Sequence, residues 1–385
     1  MMKEYDYTIV GGGMVGAATA IGLSKLGYRV AVIEYKAPDL FDDSQSMDIR
    51  VSAISQSSVD LLEALGAWQY IKEMRVCPYK RLETWEHPEC RTRFHSDALD
   101  MEQLGFIVEN RLIQLGLWQV FSTFENLNVI TPAKIADLEF FTDHNVLTLE
   151  NGDKIKTKWV IGADGANSYV RQKAKIGITA WDYRQHCMLI NIETAEAQQD
   201  ITWQWFTPSG PRSFLPLHGN KGSLVWYDSP QRIKQLSSMN SIQLEKEIKA
   251  YFPQELGEFT VEQSGSFPLT RRHAQKYVDH RCVLLGDAAH TINPLAGQGV
   301  NLGFKDVKVL LEEIESKGLE VDKALRIYES RRKADNLAMQ SSMDLFYTLF
   351  SNSLPAVKFL RNVGLKLADS SGALKTQALK YALGL

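Results

Sequence analysis

The sequence has few cysteines, no long apolar run and no marked excess of either charge. Its 385 residues include four scattered cysteines that never form a CxxC pair, namely Cys77, Cys90, Cys187 and Cys282. This spacing argues against a zinc site or a disulfide framework and favours a reducing compartment. A net charge of −3 predicts no general attraction to nucleic acid.

Signals that would take the chain into or across a membrane are also missing. The N-terminal stretch MMKEYDYTIVGGG lacks the basic region, apolar stretch and cleavage site of a secretory signal. No apolar run is long enough to span a bilayer, so a cytoplasmic location is expected. The balance of 44% hydrophobic and 23% charged residues is that of a globular protein, and the length suits two compact units.

The first part of the chain has the pattern of a strand, a helix and a second strand. Residues 7–10 are apolar and β-branched, and residues 14–26 have the apolar spacing of a helix. With the second β-branched run at 29–34, they predict one βαβ unit. Two further strand-like runs, 159–163 and 282–285, each lead into an acidic turn.

The turn of this unit carries a G-x-G-x-x-G motif at Gly11, Gly13 and Gly16. In such a motif the glycines allow a tight turn, close approach of a pyrophosphate and close helix–strand packing. Glu34 ends the second strand, where a carboxylate can accept hydrogen bonds from ribose hydroxyls. A lone motif of this kind is also found in plain glycine turns, but its position here predicts dinucleotide binding.

Two more motifs follow the later strands, GADGANSYVR at 162–171 and GDAAHTINPLAGQGVNLG at 286–303. Asp164 and Asp287 stand at the carboxyl ends of these strands, where open α/β sheets bind ligands. Asp287 is suited to accept hydrogen bonds from the ribitol hydroxyls of a flavin. Each Asp taken alone is more commonly a helix N-cap.

The third motif continues into a glycine-rich turn that precedes a predicted helix. The candidate cofactor residues in this turn are Pro294, Gly297, Gly299 and Asn301. Backbone amides at the start of the helix can stabilise negative charge on a reduced flavin.

The predicted fold is α/β, with a Rossmann-like FAD-binding domain, an inserted antiparallel β-sheet substrate domain and a helical C-terminus. Strands such as ITWQWF and GSLVWY alternate and are rich in aromatics, as in an antiparallel sheet. The predicted FAD-binding domain is 1–76, 106–180 and 270–340, the sheet domain 77–105 and 181–269, and the helical segment 341–385.

The three motifs, in this order, resemble those of the class A flavoprotein monooxygenases, the para-hydroxybenzoate hydroxylase superfamily. The string Asp48-Ile-Arg50 before VSAIS, and VENRLIQ with Asn110 and Arg111, are similar to the ubiquinone-biosynthesis hydroxylases within it. The resemblance runs nearly end to end and includes CPYKRLETWE, GPRSFLPL, PLTRRHA and the closing QALKYALGL. It implies FAD as cofactor, with Arg50 and Arg111 among the residues that bind it.

The resemblance also implies hydroxylation of a prenylated benzoquinol with O2, through a C4a-hydroperoxyflavin. Only one complete GxGxxG is present, so the reductant is expected to be external NAD(P)H or a partner protein. A quinol activates its own ring, which leaves positioning, exclusion of water and one proton to the protein. No catalytic base is predicted, and His186, Tyr227 and His290 remain open.

Aromatic and rigid residues of the sheet domain are candidates for the substrate pocket. They are Trp205, Phe214, Pro216 and Trp226. By resemblance, residues 214–217 and Pro294 face the flavin. The alternative is that aromatics on alternating strands simply fill a core.

Three other functions are compatible with the sequence. One is hydroxylation of another ring position in the same pathway. The string WQWFTP at 203–208 superficially resembles a flavin halogenase motif, and short motifs often match by chance. A non-enzymatic prenyl-lipid carrier could also keep the nucleotide fold.

The C-terminal stretch 345–385 is a candidate contact with a membrane or with an assembly of ubiquinone-pathway enzymes. Its apolar residues are Phe346, Phe350, Leu354, Phe359, Leu360 and Leu365. Its charged residues are Lys358, Arg361, Lys366, Lys375 and Lys380 against Asp369. Such a cationic segment predicts weak, salt-sensitive binding to anionic headgroups at the inner membrane. The alternative is that the segment packs onto the FAD domain.

Overall fold

The structure, a computed structural model, describes residues 2–198, 200–292, 299–318 and 320–351, and some later positions. Those positions are 358, 361–363, 366, 369, 372, 375–377 and 379–380. Pro294 and Gly297 of the predicted cofactor turn lie outside the described residues. So do Leu354, Phe359, Leu360 and Leu365 of the predicted C-terminal contact and the side chain of Phe346.

The strands and helices follow one another along the whole described chain. The strands are β1 (Lys3–Val10), β2 (Val30–Ile33), β3 (Val51–Ser55), β4 (Cys77–Tyr79), β5 (Arg81–Trp85), β6 (Arg91–His95), β7 (Gly105–Glu109), β8 (Leu127–Ile130), β9 (Ile135–Phe140), β10 (Asn145–Leu149), β11 (Lys154–Gly162), β12 (Ile178–Thr194), β13 (Ile201–Trp205), β14 (Arg212–Pro216), β15 (Lys221–Asp228), β16 (Phe259–Ala274), β17 (Val278–Asp279), β18 (Cys282–Leu284) and β19 (His290–Thr291). The α-helices are α1 (Met14–Lys25), α2 (Gln56–Ala64), α3 (Trp68–Met74), α4 (Asn110–Phe121), α5 (Tyr169–Lys173), α6 (Pro230–Ser237), α7 (Ser241–Tyr251), α8 (Gly299–Lys317) and α9 (Val321–Ser351).

A parallel sheet forms the nucleotide domain. Its strands lie in the order β18–β11–β1–β2–β8, and the hairpin of β9 and β10 joins it beside β11. Helices α1, α4 and α8 pack together over this sheet, so its strands are buried and can be continuously apolar. The predicted strands at 7–10, 159–163 and 282–285 are confirmed as parts of β1, β11 and β18, although β1 and β11 begin four and five residues earlier than predicted. The helix at 14–26 is confirmed to within one residue.

A large, mostly antiparallel sheet forms the second part of the fold. Its strands lie in the order β19–β16–β12–β15–β14–β13–β5–β6, with β13 and β5 parallel. Strand β4 does not join it, although it falls within the predicted sheet-domain range. It pairs instead with β7, which also pairs with β3, in a small sheet beside the nucleotide domain.

The two faces of the large sheet are covered by different parts of the molecule. On one face, Met188, Ile190 and Leu224 pack with residues of α6 and α7. On the other face, Cys187 and Val225 pack with residues of the small sheet. Successive side chains of a strand point to opposite faces, which explains this division of neighbouring residues.

Helix α9 joins the two parts of the fold. It packs along α8, and its Asp344 carboxylate is paired with Arg271 of β16. At its C-terminal end Phe350 stacks on Phe206 beyond β13, with ring centroids 3.9 Å apart. The predicted boundary between 340 and 341 falls inside this continuous helix.

Candidate cofactor and substrate site

The glycine turn between β1 and α1 is packed as a phosphate-binding turn requires. Gly11 has φ of +98°, and a Cβ there would lie 2.5 Å from the Ala163 carbonyl oxygen. A Cβ on Gly16 would lie 1.9 Å from the Gly11 carbonyl oxygen, so only glycine fits. A Cβ on Gly13, which precedes α1, would meet no protein atom within 4 Å. The turn therefore leaves room for a ligand in front of the helix N-terminus.

Glu34 lies directly after β2 and faces the same turn. Its carboxylate accepts a hydrogen bond from the Gly12 amide at 2.5 Å and from the Lys36 amide at 3.1 Å. The side chain thus holds the glycine turn in place. It retains the capacity to accept from a ribose hydroxyl, because an ionised carboxylate has about four acceptor positions.

A cavity of about 490 Å³ adjoins the glycine turn and the ends of β2 and β11. Its lining residues are Val10, Gly11, Gly13, Ile33, Glu34, Tyr35, Ala133, Lys134, Ile135, Glu150, Ala163, Asp164, Asn167 and Tyr169. The cavity unites residues of the first two motifs, as the sequence predicts for a dinucleotide site. Its volume is within the range of ordinary ligand sites.

One carboxylate oxygen of Asp164 accepts hydrogen bonds from the protein, and the other has no hydrogen-bond partner among the described residues. Oδ2 accepts hydrogen bonds from the amides of Tyr169, at 2.6 Å, and Val170, at 3.1 Å, in the first turn of α5. Oδ2 therefore supports the start of α5, although the N-cap residue of that helix is Ser168, whose hydroxyl accepts from the Arg171 amide. Oδ1 is buried and has no hydrogen-bond partner among the residues that the structure describes. Burial raises the pKa of Asp164, although the hydrogen bonds lower it.

Asp287 lies in a single helical turn directly after β18. Its side chain reaches solvent, yet the surrounding protein desolvates it and raises its pKa. The charges of His290, Arg50 and Arg272 act in the opposite direction. Within the described part of the chain, no group donates a hydrogen bond to this carboxylate. It is therefore placed to accept one from a ligand.

The first turn of α8 contributes a glycine and an asparagine. A Cβ on Gly299 would meet no described protein atom within 4 Å, so the start of α8 is open there. Asn301 is buried, and its amide oxygen accepts from the Ser55 amide at 3.1 Å and the Ser58 hydroxyl at 2.8 Å. Its amide nitrogen donates to the Ala53 carbonyl at 2.7 Å. These bonds of Asn301 attach α8 to β3 and α2.

The two arginines implied by the resemblance have different surroundings. Arg50 is exposed, and its guanidinium lies 5.2 Å from the ring centroid of Phe267 on the large sheet. Arg111 donates to Asp48 at 2.9 Å and to the backbone carbonyls of Asp39 and Leu40. Arg50 therefore lies where the two parts of the fold meet, whereas Arg111 holds the loop before β3.

Two residues that hold the glycine turn are not apparent from the sequence motifs. The Gly12 carbonyl accepts from the Gln114 side-chain amide at 2.9 Å and from the Trp118 indole N–H at 2.7 Å. Both donors are on α4, one helical turn apart. Their spacing in VENRLIQLGLWQ is a detectable helical pattern, but only the fold shows that it faces Gly12.

The predicted substrate-pocket residues lie on the opposite face of the sheet from the one expected. Phe214 and Trp226 are fully buried, and Trp205 packs beside them, in the apolar layer beneath α6 and α7. Pro216 is two residues from Phe214 on β14 and so has the same orientation. Trp205, Phe214 and Trp226 thus pack as in the core alternative, whereas Leu215 and Leu217, of the stretch 214–217 expected to face the flavin, lie in the other layer.

The residues that do face the nucleotide domain are their sequence neighbours. This layer includes Cys187, Leu215, Val225, Tyr227 and Leu269. On the same side of the sheet, the amide of Asn191 donates to the carbonyls of Met47 and Asp48 in the loop before β3, each at 3.2 Å. Cys187 of β12 and Tyr227 of β15 are paired across the two strands, so a thiol and a phenol lie side by side in this layer.

The three open candidates for a proton-handling group fall into three settings. His186 borders a groove of about 480 Å³ beside α6, away from the nucleotide domain. His290 is buried, with Nε2 2.5 Å from a carboxylate oxygen of Asp306. Tyr227 alone lies in the layer that faces the nucleotide domain. Burial raises its pKa well above the usual value, so the phenol stays protonated and can act as a hydrogen-bond donor.

The described part of the C-terminal segment is docked on the sheet domain rather than on the FAD domain. Arg361 and Glu86 form a buried ion pair, with Nε 2.7 Å from Oε2, and Asn362 donates to the same oxygen. Lys375 is paired with Asp369 at 2.7 Å. The expectation that Arg361 meets lipid headgroups is therefore wrong, because its charge is used inside the protein.

The residues present fit an FAD molecule. The turn at Gly13 and the start of α8 at Gly299 leave space beside backbone amides, which suits a pyrophosphate and a flavin edge. The unpartnered Asp164 Oδ1 and the Asp287 carboxylate can accept hydrogen bonds from ligand hydroxyls. These features define the class of the protein as a dinucleotide-binding flavoprotein with an appended sheet domain.

The chain belongs to the FAD-binding-domain family, whose model matches residues 4–130 and 131–341. It is 50% identical over 385 residues to 3-demethoxyubiquinol 3-hydroxylase of Escherichia coli (strain K12), covering 99% of this chain and 98% of that protein. The ubiquinone biosynthesis monooxygenase COQ6 of Caenorhabditis elegans is 33% identical over 431 residues, covering 98% and 95%. The ubiquinone hydroxylase UbiL of Rhodospirillum rubrum is 32% identical over 388 residues, covering 99% and 90%.

Solved structures share the fold at low sequence identity. The p-nitrophenol 4-monooxygenase PnpA of Pseudomonas putida DLL-E4 gives a TM-score of 0.82 at 20% identity, covering 100% of this chain and 99% of that one. Klebsiella pneumoniae HpxO, solved with FAD and uric acid, gives 0.74 at 15% identity, covering 94% and 92%. The predicted fold class and the FAD cofactor are confirmed, and the chain is an FAD-dependent monooxygenase.

Proposed function

We propose that this monooxygenase hydroxylates the ring of a prenylated benzoquinol in ubiquinone biosynthesis, specifically 2-polyprenyl-3-methyl-6-methoxy-1,4-benzoquinol. The observation that carries the proposal is the 50% identity, over essentially the whole of both chains, to a 3-demethoxyubiquinol 3-hydroxylase. The identity spans both the nucleotide domain and the sheet domain, and so includes the part of the molecule that we expect to bind the substrate.

The bound flavin would supply two electrons and activate O2, so that one oxygen atom enters the ring and the other leaves as water. The chain's own residues position the ring and exclude water. The buried layer of Cys187, Leu215, Val225 and Tyr227, on the side of the large sheet that faces the nucleotide domain, is apolar and has one phenolic donor. A hydroxyl of the quinol can accept a hydrogen bond from Tyr227, which would orient the ring without removing a proton from it.

A labelling experiment with purified enzyme tests this reaction. Enzyme, FAD, NAD(P)H and a short-tailed demethoxyubiquinol are incubated under ¹⁸O₂, and the product is analysed by mass spectrometry. The expected product is the quinol with one ¹⁸O at the unsubstituted ring carbon. Oxidation of NAD(P)H coupled only to reduction of O2 to hydrogen peroxide, with unchanged quinol, under conditions in which the E. coli relative gives product, would contradict the proposal.

A second candidate is hydroxylation at another ring position in the same pathway. The identities of 33% to COQ6 and 32% to UbiL over most of each chain favour the pathway without fixing the position. Quinone profiling of a deletion strain separates the two. Accumulation of the demethoxylated, already methylated quinone supports the proposed step, whereas accumulation of an earlier precursor supports the second candidate.

We further propose that the enzyme meets its substrate at the membrane surface. Within the described residues no helix is long and apolar enough to cross a bilayer. The exposed side of α9 supports a peripheral contact, because the side chains from 334 to 349 that the structure describes as exposed are all uncharged. They are Ala334, Leu337, Ala338, Ser341, Ser342, Leu345, Thr348 and Leu349.

The hydroxyl groups of this side of α9 are already hydrogen-bonded within the helix. Ser341 donates to the Leu337 carbonyl at 2.8 Å, and Ser342 and Thr348 bond to the preceding turn in the same way. Such back-bonding lets hydroxyl residues face an apolar medium. Lys358 and Lys366, further along the chain, are exposed and would favour anionic headgroups.

Liposome flotation tests this contact. Wild type should float weakly with anionic vesicles at low salt, and Leu345→Ser with Leu349→Ser should not. Neutralising Lys358 and Lys366 should remove the salt dependence. Arg361 is left intact, because its removal would break the pair with Glu86. Equal recovery of all variants in the soluble fraction at every salt concentration would exclude direct lipid contact by this surface.

A further inference from the structure

A buried carboxylate lies directly beneath the loop that carries Asp287. Asp306 of α8 is fully inaccessible to solvent. Its Oδ2 accepts a hydrogen bond from the Gly286 amide at 2.9 Å and lies 2.5 Å from His290 Nε2. One oxygen atom thus holds both ends of the 286–290 loop.

The second oxygen of the same carboxylate is held by α9. Oδ1 accepts from Arg332 Nε at 2.7 Å and lies 3.3 Å from the Asn336 amide nitrogen. Arg332 also donates to the Asn336 oxygen at 2.7 Å, and both side chains are buried. Burial raises the pKa of Asp306, but His290 and Arg332 outweigh it and hold that pKa below its usual value.

The 286–290 loop is also confined by its contact with α1. Gly286 has φ of +56°, and Val15 of α1 packs against it, 3.2 Å from the position of a Cβ. Asp287 is the exposed residue of this loop, and its carboxylate lies on the side of Arg50 and Arg272. The position of the Asp287 carboxylate therefore depends on where Asp306 holds Gly286 and His290.

We propose that Asp306, anchored by Arg332, is a positioning residue for FAD binding. It fixes the 286–290 loop so that Asp287 presents its carboxylate to a cofactor hydroxyl. Because the anchor comes from α9, the same helix that contacts the sheet domain through Phe350 also supports the cofactor loop. Asp306 does not itself face the cofactor.

The chain offers a matched control for this pair. Glu313, also on α8 and also buried, is bonded to Arg331 of α9 at 2.6 Å. This second pair joins the same two helices but has no bond to the 286–290 loop. Breaking this second pair therefore shows how much FAD affinity is lost when an α8–α9 ion pair is removed without disturbing the 286–290 loop.

The first measurement is the FAD dissociation constant of apoprotein, at a temperature where circular dichroism shows every variant to be folded. An asparagine has one side-chain oxygen, so Asp306→Asn cannot accept on both sides, and either the loop or Arg332 loses its acceptor. We expect FAD to bind about tenfold more weakly, the size expected for one lost hydrogen bond. Glu313→Gln should bind FAD as wild type does. Wild-type affinity in Asp306→Asn, or an equal loss in the control, overturns the proposal.

A double-mutant cycle separates positioning from general destabilisation. If Asp306 acts through Asp287, then Asp306→Asn should weaken FAD binding much less in an Asp287→Asn background than in wild type. Additive losses would mean that Asp306 does not act through Asp287 and would overturn the proposal. No quinol is used, so the result is independent of the proposed substrate.

A milder variant keeps the test available if Asp306→Asn does not fold. Arg332→Lys retains the charge that compensates Asp306 but loses the planar fork that bonds Asp306 and Asn336 together. We expect a folded protein with FAD affinity between those of wild type and Asp306→Asn, and a shifted visible spectrum of the bound flavin. Unchanged affinity and spectrum in Arg332→Lys would show that α9 does not support the loop.

Discussion

The glycine turn of the nucleotide domain and the large sheet of the second domain differ in what determines the role of a residue. In the turn, the role follows from the backbone, since Gly11 and Gly16 stand where the chain itself would obstruct a side chain. In the sheet, Phe214 and Leu215 are adjacent and equally buried, yet they pack against different parts of the molecule. A local constraint can be recognised in a sequence, whereas the choice of face depends on what the fold places there.

The two regions differ in how far apart along the chain the interacting residues are. A G-x-G-x-x-G turn depends on atoms within a few residues, so its spacing carries the information. Alternation along a strand shows that two faces exist but not which one meets the nucleotide domain. A strand with one solvent-exposed face alternates apolar and polar residues, which identifies the buried face. Both faces of this sheet are buried, so its sequence lacks that alternation.

The largest effect on FAD binding is expected in the glycine turn. Gly16→Ala places a Cβ 1.9 Å from the Gly11 carbonyl oxygen, and this atom belongs to backbone that cannot move aside cheaply. We expect the variant to lose FAD completely and to unfold at a clearly lower temperature than wild type, since overpacking typically costs about 1–3 kcal/mol or more. Differential scanning calorimetry and the absorbance of the purified protein at flavin wavelengths provide the measurement.

Gly13→Ala is the matched control, because its Cβ would contact no protein atom. Its apoprotein should unfold at the wild-type temperature, while FAD binds more weakly because the methyl group intrudes beside the turn. If both variants lost stability equally, steric packing within the protein could not explain the difference between the two glycines.

The next effect concerns the edge of the sheet domain, where the C-terminal segment docks. Arg361→Ala leaves Glu86 buried without its charge partner, which typically costs about 3–5 kcal/mol. Thermal unfolding should show the loss, and limited proteolysis should cut the C-terminal segment faster. Lys358→Ala, at an exposed position, should change stability by less than about 0.5 kcal/mol. Equal behaviour of the two variants would contradict the buried pair.

Much of the fold was predictable from the sequence, and the site only in part. The βαβ unit and the strands that precede Asp164 and Asp287 could be recognised because their apolar runs and turns are local. Pairing of Glu86 with Arg361 joins residues 275 positions apart, so no local pattern reveals it. The charge of Arg361 looked available to a membrane because its partner belongs to a distant turn.

The supporting residues of the cofactor site were missed for a similar reason. Gln114 and Trp118 are on α4, far along the chain from Gly12, and Asp306 looks like an ordinary helix residue until its contacts are known. Asn301 was expected to contact the cofactor, but its described hydrogen bonds are to Ser55, Ser58 and Ala53. Its motif position showed that it matters without showing which partner it has.

A pair of equivalent substitutions on the two faces of the sheet sharpens the comparison. Leu215 and Leu224 are both buried and lie on neighbouring strands, but only Leu215 faces the nucleotide domain. Either Leu→Ala change should cost about 2–5 kcal/mol of stability. Only Leu215→Ala should raise the KM for the quinol, since it alone alters the proposed substrate layer. Steady-state kinetics at saturating FAD measure this, and an increased KM in Leu224→Ala alone would reverse the assignment of the faces.

The smallest effect is expected at Asp287, where the two regions meet. Asp287→Asn should weaken FAD binding about ten- to hundredfold, because a cofactor hydroxyl loses a charged acceptor worth about 1–3 kcal/mol. Titration of apoprotein with FAD measures this. Asp287→Glu, which keeps the charge, should recover part of the affinity. Wild-type affinity in Asp287→Asn would remove this residue from the cofactor site.

The same substitution should have the opposite effect on the apoprotein. Burial raises the pKa of Asp287 in the folded chain, so the unfolded chain ionises more readily and holds fewer protons between the two pKa values. Folded-state stability therefore falls as pH rises from the usual Asp pKa of about 4 through the raised value. Asp287→Asn lacks this cost in stability, so its apoprotein should be at least as stable as wild type at pH 7 while binding FAD less tightly.

Thermal unfolding of both apoproteins at pH 7 and at pH 4 tests the sign of this effect, since the difference in stability should shrink in acid. A less stable Asp287→Asn apoprotein at pH 7 would show that the carboxylate supports the fold rather than the cofactor.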